Sequence, residues 1–386
     1  MKWFKKAAPA ARPVLARGFA TWAGGDVPRR YEDQVRDGFV ANPVARRAVR
    51  LVAEGVAGAP LTCSHPEVER LIGKRSAGQE LLETVAMQLL LHGNAFVQVL
   101  HAGPPPAGPP PVAEGASPLP PAGGEIGLEL FALRPERVTV ERDARGWPAA
   151  FLYRVGDSLT RIAAEDAHGR AAVVHLKAAH PLDDHYGLGC LGAAAGAVAI
   201  HNAATRWNKA LLDNAARPSG ALVFEGEGGV LSSDQFDRLR RELDGEFSGT
   251  ANAGRPMLLE GGLKWQAMSL SPADMDFVGL KAAAAREIAL AFGVPPMLLG
   301  LPGDAAYANY REANRALWRL AILPLATAIL GGLADGLARW FPGLTLSVNL
   351  DRVPALSEER ERLWAQVTAA DFLRPEEKRA LLGLDA

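Results

Sequence analysis

Cysteine is scarce in this chain of 386 residues: Cys63 and Cys190 are the only two, far apart and without paired spacing. That excludes a disulfide framework and a zinc knuckle, and it fits a reducing compartment. An excess of one charge is missing as well, since 42 Lys plus Arg face 43 Asp plus Glu for a formal net charge of −1. A general nucleic-acid clamp needs a basic excess to displace counterions, so that class is disfavoured. Long hydrophobic runs are also lacking. The longest uncharged apolar stretch, Leu320–Ala334, contains Pro324, Gly331 and Gly332 and falls short of the ~20 residues a bilayer span requires. It reads as a buried helix, with no membrane partner expected. Near the N-terminus, Pro9, Arg12, Pro13 and Arg17 break any apolar stretch a secretory signal would need, so no export is expected.

What is present is ordinary globular material: 48% of residues are hydrophobic, and at roughly 150 residues per domain the length suggests two to three modules. Met1–Arg50 holds eleven basic and four acidic residues, which reads as a solvated basic terminus or an arm for an acidic partner. From Asn42 to Leu100 the spacing is mostly helical. Leu81, Leu82, Val85, Met87, Leu89, Leu90 and Leu91 form an apolar face that stops at Gly93 and Asn94, followed by a strand over Ala95–Leu100. Ala102–Gly124 carries nine prolines and reads as an insertion between two strands. Strand patterns resume at Leu128–Leu133, Arg137–Glu141, Ala150–Val155 and Ala172–Leu176.

After Gly192 the signal turns to long helix, stopped by Pro218, Ser219 and Gly220. Ala221–Leu270 reads strand, helix, strand, strand; its helix starts with Ser232 and Gln235 as a capping box and Leu231 with Phe236 as a hydrophobic staple. A second long helix is expected to open with Ser271 as cap, Pro272 at the first position and Asp274 in the first turn, and to close at Gly293 before Val294, Pro295 and Pro296. A third runs from about Tyr310 to Phe341 with Pro324 inside it, where a lost backbone hydrogen bond predicts a bend.

Three constellations invite a chemical reading. Gly187, Gly189 and Gly192 have the spacing of a dinucleotide-binding turn, but the preceding strand ends near Lys177 and no strand with a terminal acidic residue follows. A nucleotide-cofactor-binding enzyme is the alternative that rests on this triplet; otherwise the glycines make a flexible turn into a closely packing Ala-rich helix. His175, His180 and His185 with Asp183 and Asp184 could gather round a metal in a loop, although a five-residue step puts histidines on one face of neither a helix nor a strand; a solvated polar loop is the plainer reading. Tyr307, Tyr310, Arg311, Arg315, Trp318 and Arg319 suit either a stacking and phosphate-contacting surface or packing against another helix or subunit. No nucleophile elbow or phosphate loop is visible. No catalytic residue, metal or cofactor is expected.

The ordered set of segments resembles the portal, or head-tail connector, proteins of long-tailed bacteriophages. The likeness is carried by GNAFV (Gly93–Val97), VVHLKAAHPLDDHYGLGCL (Val173–Leu191), EIALAFGVPPMLLG (Glu287–Gly300) and ANYREANRALWRLAILPL (Ala308–Leu325). LRPEEKRALLGL (Leu373–Leu384) resembles the family's terminal helix, with Arg374 where a capping Ser or Thr is usual and Glu376 where Asn is usual. The Pro-rich insert is a further departure.

The resemblance implies an α+β portal fold: an α/β wing, two long stem helices, a small α/β clip, a long kinked tunnel helix and a short helical crown. The expected boundaries are a basic arm over 1–24, wing over 25–186 with the insert at 102–124, stem helices over 187–217 and 271–293, and clip over 218–270. A wing return over 294–356 holds the tunnel loop 300–309 and the kinked helix 310–341, and the crown covers 357–386. It further implies a ring of twelve copies at one capsid vertex of a virion or phage-like particle, of a phage, prophage or gene transfer agent, assembled in the bacterial cytoplasm. Its partners would be other copies of itself, the terminase large subunit, a head-tail adaptor, the major capsid protein, and double-stranded DNA bound without sequence specificity. On that basis Asp304, Tyr307, Asn309, Tyr310 and Arg311 are expected to face DNA, and Arg238, Arg241, Glu242 and Glu246 to form a docking surface on the clip. Pro324 would make the kink, and Ala283, Ala284 and Trp318 would pack against the neighbouring subunit.

Overall fold

The computed structural model describes residues 30–101, 127–213, 220–224, 232–246, 263–267, 276–301 and 307–383. The basic arm and the Pro-rich insert therefore lie outside the described residues. The first elements are α1 (Tyr31–Val35), a π-helical turn (Arg36–Val40), α2 (Pro43–Ala57), β1 (Leu61–Cys63), α3 (Pro66–Gly73) and α4 (Leu81–His92). α2 starts where its chemistry dictates: Pro43 stands in its first turn, and the Asn42 carboxamide accepts from the Val44 and Ala45 amides at 3.0 Å each. α4 stops where Gly93 turns left-handed, at φ +82°.

There follow β2 (Asn94–His101), β3 (Leu128–Leu133), β4 (Val138–Arg142), β5 (Pro148–Val155), β6 (Ser158–Ala163) and β7 (Val173–Lys177). Two antiparallel three-stranded sheets result, in the orders β3-β2-β7 and β4-β5-β6. β2 and β3 pair up to His101 opposite Leu128, so the Pro-rich segment does join two paired strands. β6 was not legible in the sequence, because every residue but Ile162 is exposed and no alternation reveals it.

The long helix α5 (Cys190–Asp213) begins three residues after the expected Gly187. β8 (Gly220–Phe224), α6 (Ser233–Glu246) and β9 (Leu263–Ala267) form the predicted small insert, with β8 and β9 antiparallel; Leu231 and the expected fourth segment there lie outside the described residues. The α6 cap is as read: Ser232 N–H donates to Gln235 Oε1 at 3.0 Å, and Gln235 N–H to Ser232 Oγ at 3.4 Å.

α7 (Phe277–Ala291) ends as expected, with Gly293 at φ +66°. Its start is a correction. The cap is Asp276, whose carboxylate accepts from Gly279 N–H at 3.1 Å, five residues beyond the expected Ser271, which lies outside the described residues.

α8 (Tyr307–Leu317), a π-helical turn (Trp318–Ile322) and α9 (Leu323–Leu337) form the third long stretch. In place of a simple proline kink, the chain widens by one residue just upstream, and Leu323 N–H bonds to Trp318 O. Pro324 follows directly, one residue into α9, so the wider turn sits where the proline interrupts the backbone ladder. The stretch Asn309–Leu337 is long and apolar enough, by length and composition, to cross a membrane, longer than the run Leu320–Ala334 alone suggested. Its Ile322, Ala326, Ile329, Leu330, Leu333 and Leu337 are nevertheless buried in the main core. The chain closes with β10 (Leu346–Val348), antiparallel to β1, then α10 (Ser357–Ala369) and α11 (Pro375–Leu382). At α11 the Glu377 carboxylate accepts from Arg374 N–H at 2.9 Å and from its guanidinium at 2.8 Å, which keeps the acidic half of a capping box, while the bond a Ser or Thr would accept from the first-turn amides is not replaced.

The main core joins α2, α4, the inner face of β2 and β3, and the buried sides of α5, α7 and α9. A second, smaller cluster of Phe96, Leu133, Val138, Val140, Phe151 and Val173 fills the space between the two sheets.

Candidate functional site

Two places concentrate polar, closely packed and charged residues. The first is the junction where α4 gives way to β2 and where the chain enters α5. Asn94, buried to 1% exposure, is its centre. Its Oδ1 accepts from Gly187 N–H at 2.8 Å and lies 3.1 Å from His175 Nε2, while its Nδ2 donates to Gly187 O at 3.2 Å. Gly93, Gly187 and Gly189 press backbone on backbone: a Cβ on Gly187 would stand 2.0 Å from Gly93 O, and one on Gly189 2.4 Å from Leu91 O. Gly192 has open space around it and is the first-turn glycine of α5.

This geometry overturns the cofactor alternative. Where a dinucleotide turn offers its glycine backbone to a pyrophosphate, these glycines are filled by the α4–β2 corner, and a loop of a dozen residues separates β7 from α5. Gly187 and Gly189 are close backbone contacts rather than a flexible turn.

The histidines are not gathered round one point. His175 stacks on Phe96 at 4.2 Å, and burial, then Lys177, hold it neutral down to about 3. His92, against Tyr31 at 4.7 Å, is lowered by burial to about 4 despite Glu32. His185 is buried too, its pKa lowered first by burial and then by Arg142, and neither ring nitrogen finds a hydrogen-bond partner among the described residues. His180 instead accepts from Leu182 N–H at 3.0 Å at the surface. Two of the three are thus structural core groups, not members of a solvated loop. Among the described residues no group of three or more His, Cys, Asp or Glu could hold a metal ion.

The second place is α8 and its surroundings. Asn309 and Tyr310 are exposed on its first turns; Tyr307 begins the helix and Asp304 lies outside the described residues. Arg311 pairs with Glu358 of α10 at 2.8 Å, both side chains about half exposed. Arg315 and Arg319 also reach α10. Of the two readings open for this arginine cluster, packing against another helix is the one the protomer adopts. Trp318 packs against the main core.

Between the long helices, α5 packs along α7, with Trp207 stacked on Phe277 at 5.9 Å. Ala284 is already buried within this protomer, at 3% exposure, so its expected place against a neighbouring subunit is corrected, whereas Ala283 stays exposed. The outward sides carry exposed Val278 and Leu290 on α7 and Ile200 on α5. On α6, Arg238 and Arg241 are exposed, and Arg241 Nε donates to Asp237 O at 3.1 Å. Glu242 and Glu246 belong to the same helix, their side chains outside the described residues. The Asn94 lock escaped sequence reasoning; the only signal was two glycine-containing motifs, Gly93–Asn94 and Gly187–Gly189, separated by more than ninety residues.

A family model described as phage portal protein matches residues 43–383. A protein of Rickettsia felis (strain ATCC VR-1525 / URRWXCal2) is 50% identical over 217 residues, 55% of this chain and 55% of that protein. One of Rickettsia bellii (strain RML369-C) is 37% identical over 366 residues, covering 90% of this chain and 88% of its own length. A solved chain from the neck of an empty gene transfer agent (GTA) particle, computed with C6 symmetry, is 46% identical with a TM-score of 0.68, covering 92% of this chain and 94% of that one. Another, from the neck of a native GTA particle computed with C12 symmetry, is 47% identical with a TM-score of 0.67, covering 93% and 94%. The crystal structure of an HK97 family phage portal protein from Corynebacterium diphtheriae shares the fold at 16% identity, TM-score 0.57, covering 86% and 99%.

Proposed function

The chain belongs to the phage portal protein family, and from that premise we propose that it is the repeating subunit of a ring at one vertex of a capsid or GTA particle, the passage by which double-stranded DNA enters and later leaves. The observation that carries this reading is the likeness, along 93% of the chain at 47% identity, to a protein of a native GTA neck. The C12 symmetry of that neck supports a count of twelve. Family membership implies a structural rather than an enzymatic role, sited in the particle.

Ring closure needs two different faces per subunit, meeting head to tail. The α5–α7 pair supplies them. α7 turns out Val278 and Leu290, 83% and 79% exposed, while α5 turns out Gly192, Gly196, Ile200 and Ala203; apolar knobs on one side face a smooth side on the other. Ala283 sits beside Leu290's stripe and belongs to the same contact.

Gly187–Arg217 and Ser271–Gly293 serve as the stem and Pro218–Leu270 as the clip, where Arg238, Arg241, Glu242 and Glu246 dock terminase and then the head-tail adaptor. The wing, 25–186 with 294–356, meets the major capsid protein, and 357–386 is the crown. The segment that leads into α8 and the first turn of α8, with Asp304, Tyr307, Asn309 and Tyr310, touches passing DNA without reading its sequence. Near-neutral overall charge suits a conduit, since each neutralised phosphate steepens salt dependence by about 0.9 in log–log slope and many such contacts would hold DNA still.

Electron microscopy of the purified full chain, alone and with capsid components, tests the reading. Annular particles with a central hole as wide as duplex DNA are expected; a strictly single, globular species under both conditions would overturn it.

A further inference from the structure

α8 and the π-helical turn that continues it carry three arginines, Arg311 and Arg315 on α8 and Arg319 in the turn, at steps of four residues, about 6 Å apart along the axis. Each is engaged by α10. Arg311 meets Glu358 at 2.8 Å, Arg315 meets Glu358 at 3.0 Å and Glu359 at 3.5 Å, and Arg319 meets Glu359 at 3.3 Å. Glu312, on α8 itself, adds a contact to Arg315 at 2.9 Å. The central guanidinium is largely withdrawn from water, its side chain 18% exposed, and its Nε is buried with no hydrogen bond. That is the signature of a strongly polar surface covered by an imperfectly matched lid.

The lid itself is weakly rooted in the core. Val367 is the one buried residue of α10 and Leu382 the one of α11. The two helices are tied to each other, by Arg360 to Leu382 O at 3.0 Å and Lys378 to Thr368 O at 3.0 Å. They join the body through two short 3-10 turns, Leu350–Arg352 and Pro354–Leu356. α10 is also held to the first of these turns, where Arg360 Nε donates to Asp351 Oδ1 at 2.5 Å and Trp364 Nε1 does so at 3.0 Å. The unit with that turn can therefore swing as one piece about residues 353–356, where Val353 and Leu356 are buried.

We propose that α10–α11 is an ionically latched lid over a polyanion-binding face of α8: Glu358 and Glu359 occupy Arg311, Arg315 and Arg319 until the phosphodiester backbone of duplex DNA competes for them. Exposed ion pairs are worth little individually and are screened by salt, so a latch made of them opens in response to a neighbouring charge where an apolar contact would not. Only the identity of the polyanion rests on the portal reading; the latch is a property of the chain.

Hydrogen exchange of the full-length protein, with a short duplex DNA as probe, decides the matter. Raising salt should speed amide exchange in α10 and α11 about tenfold while α9 is unaffected. At low salt, duplex DNA should do the same. The variant carrying Glu358→Gln and Glu359→Gln should be open without DNA and bind the duplex about tenfold more tightly, whereas Arg311→Gln, Arg315→Gln and Arg319→Gln together should open the lid and lose that gain. Exchange in α10 indifferent to salt overturns the latch. Exchange that answers salt but not DNA, or no gain in affinity on removing the two carboxylates, overturns the competition while leaving the ring reading to its own test.

Discussion

At the residue scale, glycine spacing proved informative for a reason unlike the one it first suggests. Gly187 and Gly189 sit where backbone meets backbone, and Asn94 closes the contact by bonding both the amide and the carbonyl of Gly187. Gly192, the third member of the same pattern, touches nothing where a side chain would start. The two positions should separate cleanly in thermal denaturation. Gly187→Ala must displace the Gly93 carbonyl and should cost several kcal/mol, on the order of 3; Gly192→Ala should be neutral or stabilise by up to ~1 kcal/mol through helix propensity. Equal effects would mean the lock is not there. The motif was visible in the sequence, but its partner was not, because Gly93 and Gly187 are brought together only by the pairing of β2 with β7.

Among elements, boundaries followed local chemistry wherever the cap residue was unambiguous. Asn42 and Ser232 start helices through their side-chain caps, and Gly93 and Gly293 end them by turning left-handed. α7 did not, because Asp276 could satisfy the first-turn amides as well as Ser271 could, and local sequence does not rank two such caps. The junction of α4, β2, β7 and the loop before α5 carries its own prediction. Unfolded histidines protonate near 6.5, whereas burial keeps His92 neutral to about 4 and His175 to about 3. Above 6.5 both states are neutral and stability is full; below it the unfolded chain binds more protons, so stability falls with pH. By pH 5 the loss should be on the order of 1–2 kcal/mol for each histidine. The depressed carboxylates Asp166, Asp351 and Glu377 titrate at lower pH and leave this window clear. Melting temperatures at pH 7 and 5 check it, and His92→Gln should flatten the slope; a flat wild-type profile would refute the assignment.

On the scale of the whole molecule, the long helices make sense only in company. A protomer that leaves Val278 and Leu290 about four-fifths exposed on one helix presents large apolar side chains that the described residues do not cover. The variant with Val278→Asp and Leu290→Asp should fold with stability changed by no more than about 0.5 kcal/mol per site. It should nevertheless fail to form rings, read by native mass spectrometry as a shift to the single subunit. Rings that persist would move the subunit contact elsewhere.

The sequence by itself determined the strands of both sheets except β6, the capped helices, the insertion between β2 and β3, and the family, because these depend on periodicity, caps and local motif order. Only the tertiary structure decided that Ala284 is internal, that Arg311, Arg315 and Arg319 are held by α10, and that Gly187 and Gly189 are packing contacts while Gly192 is not. Each of those rests on groups distant in the chain meeting at close range, and their energies arise from burial and charge pairing that no window of neighbouring residues contains.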